Sequence, residues 1–463
     1  FKLNDSLQII FNREIMSSTN TSKIPNSLQE HWMPFTSNKD FKENPRLITG
    51  AKGVYLTNHK GKTMIDASSG LFCNPFGHGR KEITEAVAKQ LEQLDYCQPF
   101  QQGFGGSFEL ATKIARHTPG NLNRIFYTIC GSTAVETAIK ISVAYHRAKG
   151  DSQRFRFIGR ERGYHGMNIG AISVGGMVNN IKTFASILMP GVAHMRHTHL
   201  PEHKFISGQP STGVELADDL ERIAANFGGE NIAACIVEPI AGSTGTLVPP
   251  IGYLKRLRKI CDKHGILLIF DEVITGWGRT GSAFASQEFS VTPDIITMAK
   301  ATTNGVVPMG VVACKEEIYD AVMDASPKGA VELFHGYTYS GIPVAVAAAL
   351  AVQNIIEKED IFSRAKEMAP YFQKGLFTLQ DIDVVDNIRG YGMMGGIDMK
   401  TNVKPGKAGF ECFKACYEAG VNFKATGDCL IIAPQFICEK KHIDEIINKL
   451  RTGILNYSKN LKN

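Results

Sequence analysis

The stretch Gly265-Ile-Leu-Leu-Ile-Phe-Asp-Glu-Val-Ile274 decides the fold of this chain. Its apolar residues, Ile266 to Phe270, are followed at once by two acids. A short apolar run that follows a glycine and is rich in branched residues predicts a parallel strand buried on both faces. Ligands of open α/β sheets bind just beyond the carboxyl ends of such strands. We therefore expect Asp271 to lie where a fold of this class carries out its chemistry.

A second apolar run, Asp294-Ile-Ile-Thr-Met-Ala-Lys300, ends in a lysine. An aspartate and a lysine at the ends of two core strands are the pair that a pyridoxal phosphate site requires. The cofactor needs an amine for its Schiff base and an anion that keeps its ring nitrogen protonated. Each residue alone has a plainer explanation, Lys300 as a surface lysine and Asp271 as a helix cap, but these explain the pair poorly.

Length and composition are those of an ordinary globular protein. The chain has 463 residues, 43% hydrophobic and 21% charged, which predicts two or three domains or lobes. The net charge of +6 is spread along the chain, so nothing indicates a nucleic acid or membrane partner. The 10 cysteines include no Cys-x-x-Cys pair and no apolar run is long enough to span a bilayer. We expect a cytoplasmic protein.

Helical and strand patterns alternate through the middle of the chain. They predict a hairpin at 53–66, strands at 124–129, 155–158 and 233–237, and helices at 80–94, 134–149, 253–264 and 343–357. This rhythm predicts an α/β fold with a large domain built on a mostly parallel, doubly wound sheet. A smaller α+β domain would be built from both chain ends. The predicted division is a mobile N-terminal arm (1–30), an N-terminal segment of the small domain (31–79), a large cofactor-binding domain (80–342), and a linking helix with the C-terminal small domain (343–463).

The turn Cys130-Gly-Ser-Thr-Ala-Val-Glu136 lies between a predicted strand and a predicted helix. Small residues in such a turn let backbone N–H groups approach a phosphate, and the helix N-terminus adds favourable partial charge. Gly131 and Ser132 are the natural donors. An ordinary helix cap explains the same residues, and the phosphate hypothesis gains weight only from Asp271 and Lys300.

Motifs in the same order as in a known family run from about His31 to near the C-terminus. They are Met33-Pro-Phe-Thr, Gly77-His-Gly-Arg, Gly159-Arg-Glu-Arg-Gly-Tyr-His-Gly166, Val237-Glu-Pro-Ile-Ala-Gly-Ser, Leu268-Ile-Phe-Asp-Glu-Val-Ile-Thr-Gly, Thr297-Met-Ala-Lys and Phe334-His-Gly-Tyr-Thr-Tyr-Ser340. With these motifs the chain resembles the class III, fold-type I pyridoxal-phosphate aminotransferases. The resemblance is strongest to the ω-amino acid:pyruvate (β-alanine:pyruvate) branch.

The resemblance implies roles for the residues around the cofactor. Lys300 would form the Schiff base and move the proton between the substrate carbon and the cofactor carbon. Asp271 would pair with the pyridinium nitrogen. Tyr164, which plain packing also explains, would stack on the ring with His165 beside it. Val273, two residues beyond Asp271 in an extended chain, is predicted to face the same side and to form the apolar floor under the ring.

Other implied roles concern the edges of the site. Glu238 follows a predicted strand and would form hydrogen bonds close to the cofactor. Thr338 would reach the cofactor phosphate from a neighbouring subunit, which implies a homodimer or homotetramer with shared active sites. Phe35, Phe72 and Lys424, together with Tyr164, would contact the substrate.

The chain departs from the family pattern at several of these positions. Ile129 and Cys130 precede Gly131 where relatives have Asn and Ser, so a side-chain donor is lost at the phosphate turn. Ile342 stands where relatives have a histidine. Lys424 replaces an arginine that grips the substrate carboxylate, and lysine offers a point charge rather than a bidentate fork. We therefore predict weaker carboxylate recognition, with the half-reaction of neutral amines less affected.

Three further motifs indicate no additional site. The run Gly390-Tyr-Gly-Met-Met-Gly395 matches a dinucleotide fingerprint, but a strand pattern follows it where a helix is required. Asn20 and Asn456 begin glycosylation sequons, which a cytoplasmic chain would not use. Four histidines crowd one segment without companion acids, so we expect a solvated loop and no metal; they are His194, His197, His199 and His203.

The sequence therefore predicts a pyridoxal-phosphate aminotransferase that takes an amino group from an ω-amino acid or primary amine and passes it to pyruvate, giving alanine. Its closest rivals are transaminases of taurine, 4-aminobutyrate or diamines, with 2-oxoglutarate or pyruvate as acceptor. An aminomutase or decarboxylase of the same fold, or a catalytically silent cofactor-binding relative, stays open.

Overall fold

A seven-stranded sheet crosses the middle of the chain in the computed structural model, which describes residues 24–400 and 406–461. In chain order its strands are β4 (Arg124–Thr128), β5 (Arg156–Arg160), β6 (Val192–Met195), β7 (Ile232–Val237), β8 (Leu267–Asp271), β9 (Ile295–Met298) and β10 (Gly310–Cys314). In space the order is β4-β10-β9-β8-β7-β5-β6, and β10 runs antiparallel to both of its neighbours. The other pairings are parallel, so the predicted mostly parallel α/β sheet is confirmed.

Strand β8 lies in the centre of this sheet, and all of its residues are buried. Leu268 and Phe270 pack into one apolar cluster, while Leu267 and Ile269 pack into another. Since successive side chains of a strand point to opposite faces, both faces of the sheet are covered. The turn into β8 depends on Gly265, whose φ of 64° is easily adopted only by glycine. The continuous apolar run in the sequence therefore reflects burial on two sides.

Helices flank the large sheet and two smaller sheets. In chain order they are α1 (Asn38–Glu43), α2 (Ser69–Phe72), α3 (Lys81–Gln93), α4 (Gly105–Ala115), α5 (Gly131–Ala148), α6 (Ile169–Val174), α7 (Val178–Thr183), α8 (Asp218–Phe227), α9 (Tyr253–His264), α10 (Ala285–Glu288), α11 (Glu316–Asp324), α12 (Pro343–Lys358), α13 (Ile361–Phe377), α14 (Lys407–Ala419) and α15 (Lys440–Asn460). The helix predicted at 253–264 has the predicted bounds, and the one predicted from 134 begins three residues earlier, at Gly131. No helix in the described part of the chain is long and apolar enough to cross a membrane.

Two small sheets are formed by the chain ends. The first has the order β1-β2-β3-β13 and contains β1 (Ile48–Lys52), β2 (Tyr55–Asn58), β3 (Thr63–Asp66) and β13 (Val421–Asn422). The second has the order β11-β12-β15-β14 and contains β11 (Val385–Tyr391), β12 (Met394–Met399), β14 (Lys424–Thr426) and β15 (Cys429–Ile432). Strand β13 pairs in parallel with β3, so an N-terminal and a C-terminal segment share one sheet.

The small sheets bear on two of the sequence predictions. Strands β11 and β12 form an antiparallel pair that closes where Tyr391 faces Met394. The run Gly390 to Gly395 is therefore a hairpin, and the strand-to-helix turn of a dinucleotide fingerprint is not formed there. The division into four segments stays a prediction. Most of the N-terminal arm predicted at 1–30, together with the sequon at Asn20, lies outside the described residues.

Candidate active site

Asp271 is the last residue of β8, and its carboxylate is 5% exposed and held by three bonds. One oxygen, Oδ2, lies 2.8 Å from Nδ1 of His165. The other, Oδ1, accepts hydrogen bonds from Thr297 Oγ1 (3.1 Å) and from the backbone N–H of Val273 (3.1 Å). A carboxylate can accept about four hydrogen bonds. One acceptor position therefore stays available for a cationic N–H, in an orientation that the protein has fixed in advance.

Lys300 follows β9 and begins a short 3-10 turn with a φ of 47°. Its amine makes no hydrogen bond or ion pair with the described residues, and it lies 5.8 Å from the centre of the Phe72 ring. Burial lowers the pKa of the Lys300 amine, while Cys73, Asp271 and Glu238 oppose that shift. A lysine with a lowered pKa has more of the neutral form that acts as a nucleophile or base.

Glu238 holds the segment that carries Tyr164. It follows β7, is buried, and accepts hydrogen bonds from the backbone N–H groups of Tyr164 (Oε1, 2.9 Å) and Gly242 (Oε2, 2.9 Å). Burial raises the pKa of this carboxyl group. Burial also raises the pKa of the Tyr164 phenol, and the charges of Asp271 and Glu238 add to the effect. Tyr164 therefore lies close to both acids with a protonated hydroxyl.

The N-terminus of α5 offers free backbone donors. The hydroxyl of Thr133 accepts the N–H groups of Ile129 (3.2 Å) and Cys130 (3.0 Å). No acceptor within the described residues takes the N–H groups of Gly131 and Ser132, so these point outward from an 18-residue helix. Unpaired N–H groups at a helix N-terminus bind anions, and a phosphate is the usual one.

The residues around these donors leave room for close approach only because they lack side chains. A Cβ on Gly131 would lie 3.1 Å from Cγ1 of Val273, and one on Gly166 would lie 2.3 Å from Oγ of Ser132. The same Ser132 oxygen accepts the N–H of Met167 at 3.0 Å, which leaves its own proton free to be donated. The chemistry of these donors, together with the amine of Lys300 and the carboxylate of Asp271, fits pyridoxal phosphate.

Lys424, on β14, lies close enough to Lys300 and Glu238 for their charges to affect it. Its Nζ lies 3.4 Å from the carbonyl oxygen of Ser243 and it makes no ion pair with any described residue. Burial and the nearby charge of Lys300 lower the pKa of Lys424 to about 8, against the pull of Glu238. Phe72, by contrast, is buried beside Lys300 and is apolar. Beside Lys300, the site therefore has an apolar side chain, Phe72, and a second amine, Lys424.

Two predicted site residues are not joined to this cluster within a single chain. Phe35 is 72% exposed and lines a groove of about 700 Å³ with Phe410 and Tyr417. Thr338 is exposed, and its carbonyl accepts the hydroxyl of Tyr96 at 3.1 Å. The contact of Phe35 with substrate stays a prediction, and so does the contact of Thr338 with the cofactor of a neighbouring subunit.

Two expectations about local structure are wrong. Val273 is not in extended chain with Asp271, because β8 ends at Asp271 and a turn follows. Its side chain reaches the site by packing against the start of α5 instead. The four histidines do not all lie in a solvated loop: His197 and His199 are half-buried in irregular chain, and the other two lie elsewhere. His194 lies in β6 with Nε2 2.7 Å from a carbonyl, and His203 is buried with Nε2 3.2 Å from Thr212 Oγ1.

No group of three or more metal-ligating side chains occurs between residues 24 and 400 or between 406 and 461. Sequence reasoning also missed Thr297, which supports Asp271 from the neighbouring strand. Its signal was the motif Thr297-Met-Ala-Lys and the adjacency of β9 to β8, where Asp271 and Thr297 are paired. The link from His165 to Asp271 spans 106 positions and had no local signal.

Comparison with known proteins agrees with this geometry. The family model described as aminotransferase class-III matches residues 36–454. The chain is 48% identical over 428 residues to an ω-aminotransferase of Caulobacter vibrioides, covering 92% of this chain and 97% of the relative. It is 46% identical over 429 residues to a β-alanine–pyruvate aminotransferase of Pseudomonas aeruginosa, with coverage of 91% and 94%.

Solved structures give the same result. The ω-transaminase of Pseudomonas jessenii in complex with PMP superposes with a TM-score of 0.88 at 30% identity, covering 94% of this chain and 97% of the other. An (S)-enantioselective ω-transaminase of Thermomicrobium roseum superposes with a TM-score of 0.87 at 31% identity, with coverage of 96% and 98%. Both similarities extend over nearly the whole chain.

Proposed function

The chain belongs to the class-III aminotransferases, and on that premise we propose that it moves an amino group from an ω-amino acid such as β-alanine, or from a primary amine, to pyruvate. The products are a semialdehyde, aldehyde or ketone and alanine. Enzymes of this family depend on pyridoxal phosphate, so the chain is a pyridoxal-phosphate-dependent aminotransferase. The substrates are proposed from the names of its relatives and from two side chains of the site, the apolar Phe72 and the basic Lys424.

One observation carries the proposal. Among the described residues the Lys300 amine has no hydrogen-bonding partner. It lies beside an apolar ring and is near an acid held in place by three bonds. A lysine with a purely structural role would be expected to pair with that acid or to reach solvent. An amine kept without a partner in this position is available for reaction.

The remaining residues would hold and orient the cofactor. The N–H groups of Gly131 and Ser132 would bind its phosphate, with the Ser132 hydroxyl as a further donor. Asp271 would keep the ring nitrogen protonated, with His165 and Thr297 fixing the carboxylate. Pyridoxal phosphate supplies an electron-withdrawing ring that stores the amino group between the two half-reactions.

Proton movement falls to Lys300. Its lowered pKa favours the neutral amine, so Nζ would take a proton from the substrate carbon and pass it to the cofactor carbon. Tyr164 would cover the ring, since Glu238 fixes its backbone and its phenol stays protonated. Val273, packed on the start of α5, would support the opposite side of the ring.

Lys424 would bind the carboxylate of pyruvate or β-alanine. It offers three donors on one charge where a guanidinium offers a planar fork, so carboxylates should bind less tightly than they would to arginine. Phe72 would meet the apolar part of the donor. A neutral amine has no need of Lys424, and its half-reaction should therefore depend mainly on Phe72.

We further propose that two chains share each active site and that the enzyme works in the cytoplasm. Large aromatic side chains lie open on the single chain, among them Trp32 (88% exposed), Phe108 (71%) and Phe334 (89%). Large exposed apolar side chains of this kind support an interface with a second chain. Thr338 lies only a few residues from Phe334 in sequence, and its place at the cofactor phosphate of a neighbouring subunit is proposed from the family resemblance.

A complementation experiment tests the shared site. Lys300→Ala and Thr338→Ala should each lose activity, and mixing the two after mild dissociation should restore about a quarter of it. Recovery is expected because one of the two sites in a mixed dimer would hold both wild-type residues. A mixture that stays as inactive as its components would refute sharing, and light scattering would give the number of chains independently.

The activity itself is tested by half-reactions. The purified protein, loaded with pyridoxal phosphate, is mixed with β-alanine, 4-aminobutyrate, taurine, putrescine and 1-phenylethylamine in turn, and the visible absorbance of the bound cofactor is followed. Pyruvate or 2-oxoglutarate is then added. Loss of absorbance with β-alanine and recovery with pyruvate support the proposal.

Other outcomes point to its rivals. Recovery with 2-oxoglutarate alone would change the acceptor. Product that forms without any keto acid would indicate an aminomutase or decarboxylase. No change with any donor would leave a protein that binds the cofactor without turning over.

A further inference from the structure

Asn304 connects the turn that begins at Lys300 to the segment 74–77. Its side chain is 1% exposed and makes two bonds, with Oδ1 accepting the N–H of Phe76 at 3.1 Å and Nδ2 donating to the carbonyl of Gly77 at 2.9 Å. Its own carbonyl accepts the side-chain N–H of Asn74 at 2.8 Å. These bonds join residues about 230 positions apart in sequence. They connect the lysine turn (300–305) to the segment that follows Phe72.

The lysine side of this link is a strained turn. Lys300 and Asn304 have φ values of 47° and 53°, and Gly305 follows with 70°. The N–H of Gly305 closes the turn on the carbonyl of Lys300 at 3.1 Å. The left-handed region is unfavourable for non-glycine residues, so this conformation persists only where surrounding contacts hold it. Asparagine tolerates the region better than most side chains do.

The opposite side is strained as well. Phe72, which lies against the Lys300 amine, has a φ of 61°, and Ser69 has 49°. The carboxylate of Asp66 anchors the start of this segment through the N–H of Gly70, at 2.6 Å. The end of the segment is anchored by Asn304. Neither the lysine turn (300–305) nor the Phe72 segment (69–77) has a backbone conformation that its own residues favour. The distance between the two therefore depends on the hydrogen bonds that join them.

The lysine turn and the Phe72 segment pack closely where Gly305 meets Cys73, a contact that we call the seam. A Cβ on Gly305 would lie 2.9 Å from Cβ of Cys73, the residue next to Phe72. The Cys73 thiol is partly buried, and burial raises its pKa. The contact therefore offers a reporter, because opening the seam would expose this thiol and make it easier to alkylate.

We propose that Asn304 is a positioning residue that fixes the distance between Phe72 and the Lys300 amine and thereby sets the size of amino donor that the site accepts. The part concerning donors rests on the proposed function. The part concerning the seam does not. Asn304 acts only through Phe72 and the lysine turn and touches no substrate.

The test compares three variants. Asn304→Gly keeps the left-handed backbone and removes both side-chain bonds. Asn304→Asp keeps the acceptor for the N–H of Phe76 and loses the donor to Gly77. Asn58→Ala is the control, since Asn58 is also buried, accepts the N–H groups of Lys60 and Lys62 with its side chain, and lies in a small sheet.

The first readout is alkylation of Cys73 by iodoacetamide, measured on peptides by mass spectrometry, with the exposed Cys130 as internal reference. Asn304→Gly should speed labelling of Cys73 about tenfold relative to Cys130, and Asn304→Asp should give a smaller increase. Asn58→Ala should leave the ratio unchanged. Unchanged labelling in Asn304→Gly, or equal acceleration in the control, would overturn the seam as described.

The second readout is donor selectivity. The ratio of kcat/KM for 1-phenylethylamine to that for β-alanine should rise about tenfold in Asn304→Gly, as expected for coupled neighbours. Adding Asn304→Gly to a Phe72→Ala variant should not raise the ratio further, because the Phe72 side chain whose position Asn304 controls is already absent. An equal loss for both donors, or full additivity with Phe72→Ala, would refute the proposal. If the wild-type protein transaminates neither donor, the proposed function fails and the labelling result still decides the role of Asn304.

Discussion

The pH dependence of carboxylate recognition follows directly from the environment of Lys424. Burial and the charge of Lys300 hold the pKa of Lys424 at about 8, while Glu238 and Cys429 pull it the other way. The amine is therefore charged below pH 8 and neutral above it. A carboxylate substrate is attracted only by the charged form, so raising the pH from 7 to 9 should weaken the binding of pyruvate.

The expected magnitude comes from the fraction of charged lysine. With a pKa of about 8, about nine-tenths of Lys424 is charged at pH 7 and about one-tenth at pH 9. The kcat/KM for pyruvate should consequently fall about tenfold over this range. The Lys424→Arg variant keeps its charge throughout, because a guanidinium is not deprotonated in proteins. Its profile should lose the component centred near pH 8, and its kcat/KM for pyruvate at pH 7 should be about fivefold higher, as expected for a bidentate pair.

The assay is stopped-flow measurement of the half-reaction of the amino-loaded enzyme with pyruvate between pH 6.5 and pH 9.5, in the wild type and in Lys424→Arg. The half-reaction with 1-phenylethylamine, which has no carboxylate, is the control and should differ little between the two proteins. Lys300 titrates in both, so the difference between the profiles isolates Lys424. Parallel pyruvate profiles in the two proteins, with equal values at pH 7, would refute the reasoning.

Three further predictions concern the cofactor. Asp271→Asn should retain pyridoxal phosphate, as measured by co-elution on gel filtration, and lose at least about 100-fold in kcat, because the ring nitrogen loses its anion. Gly166→Ala should weaken cofactor binding at least about tenfold by equilibrium dialysis, since its Cβ would lie 2.3 Å from Oγ of Ser132; Gly150→Ala, where nothing lies within 4 Å of the added carbon, is the matched control for positive φ. Lys300→Ala should lose the visible absorbance of the lysine-linked cofactor and about 10³-fold or more in kcat, measured with saturating cofactor.

The regular elements were accessible to sequence reasoning because their causes are local. The helix at Tyr253–His264 begins and ends as predicted, since its apolar spacing and the left-handed glycine at Gly265 act within a few residues. The apolar run before Asp271 likewise predicted a strand buried on both faces. In the structure this strand lies in the centre of the sheet.

The failures have a common cause as well. Val273 was expected to continue the strand, but the N–H of Val273 bonds to Asp271 Oδ1 and turns the chain. The alternation of side chains along a strand does not reveal that a side chain will accept a hydrogen bond from the backbone N–H two residues later. The histidines were expected in a solvated loop, but His194 bonds to the carbonyl of Gly175 and His203 to the hydroxyl of Thr212. Both partners lie outside the segment from 194 to 203, so no pattern within it contains them.

The sequence by itself determined that an aspartate and a lysine lie at the ends of two core strands, that a helix begins with small residues, and that residue 424 is a lysine. These are properties of strand periodicity, helix capping and residue type, which short stretches of chain encode. Only the tertiary structure decided how the two reactive groups are held. The bond from His165 to Asp271, the pairing of Thr297 with that acid, and the link from Asn304 to the Phe72 segment join residues that are far apart in sequence. Such contacts depend on the order of strands in the sheet and on where loops cross its edge, and these follow from burying the whole core at once rather than from any single segment.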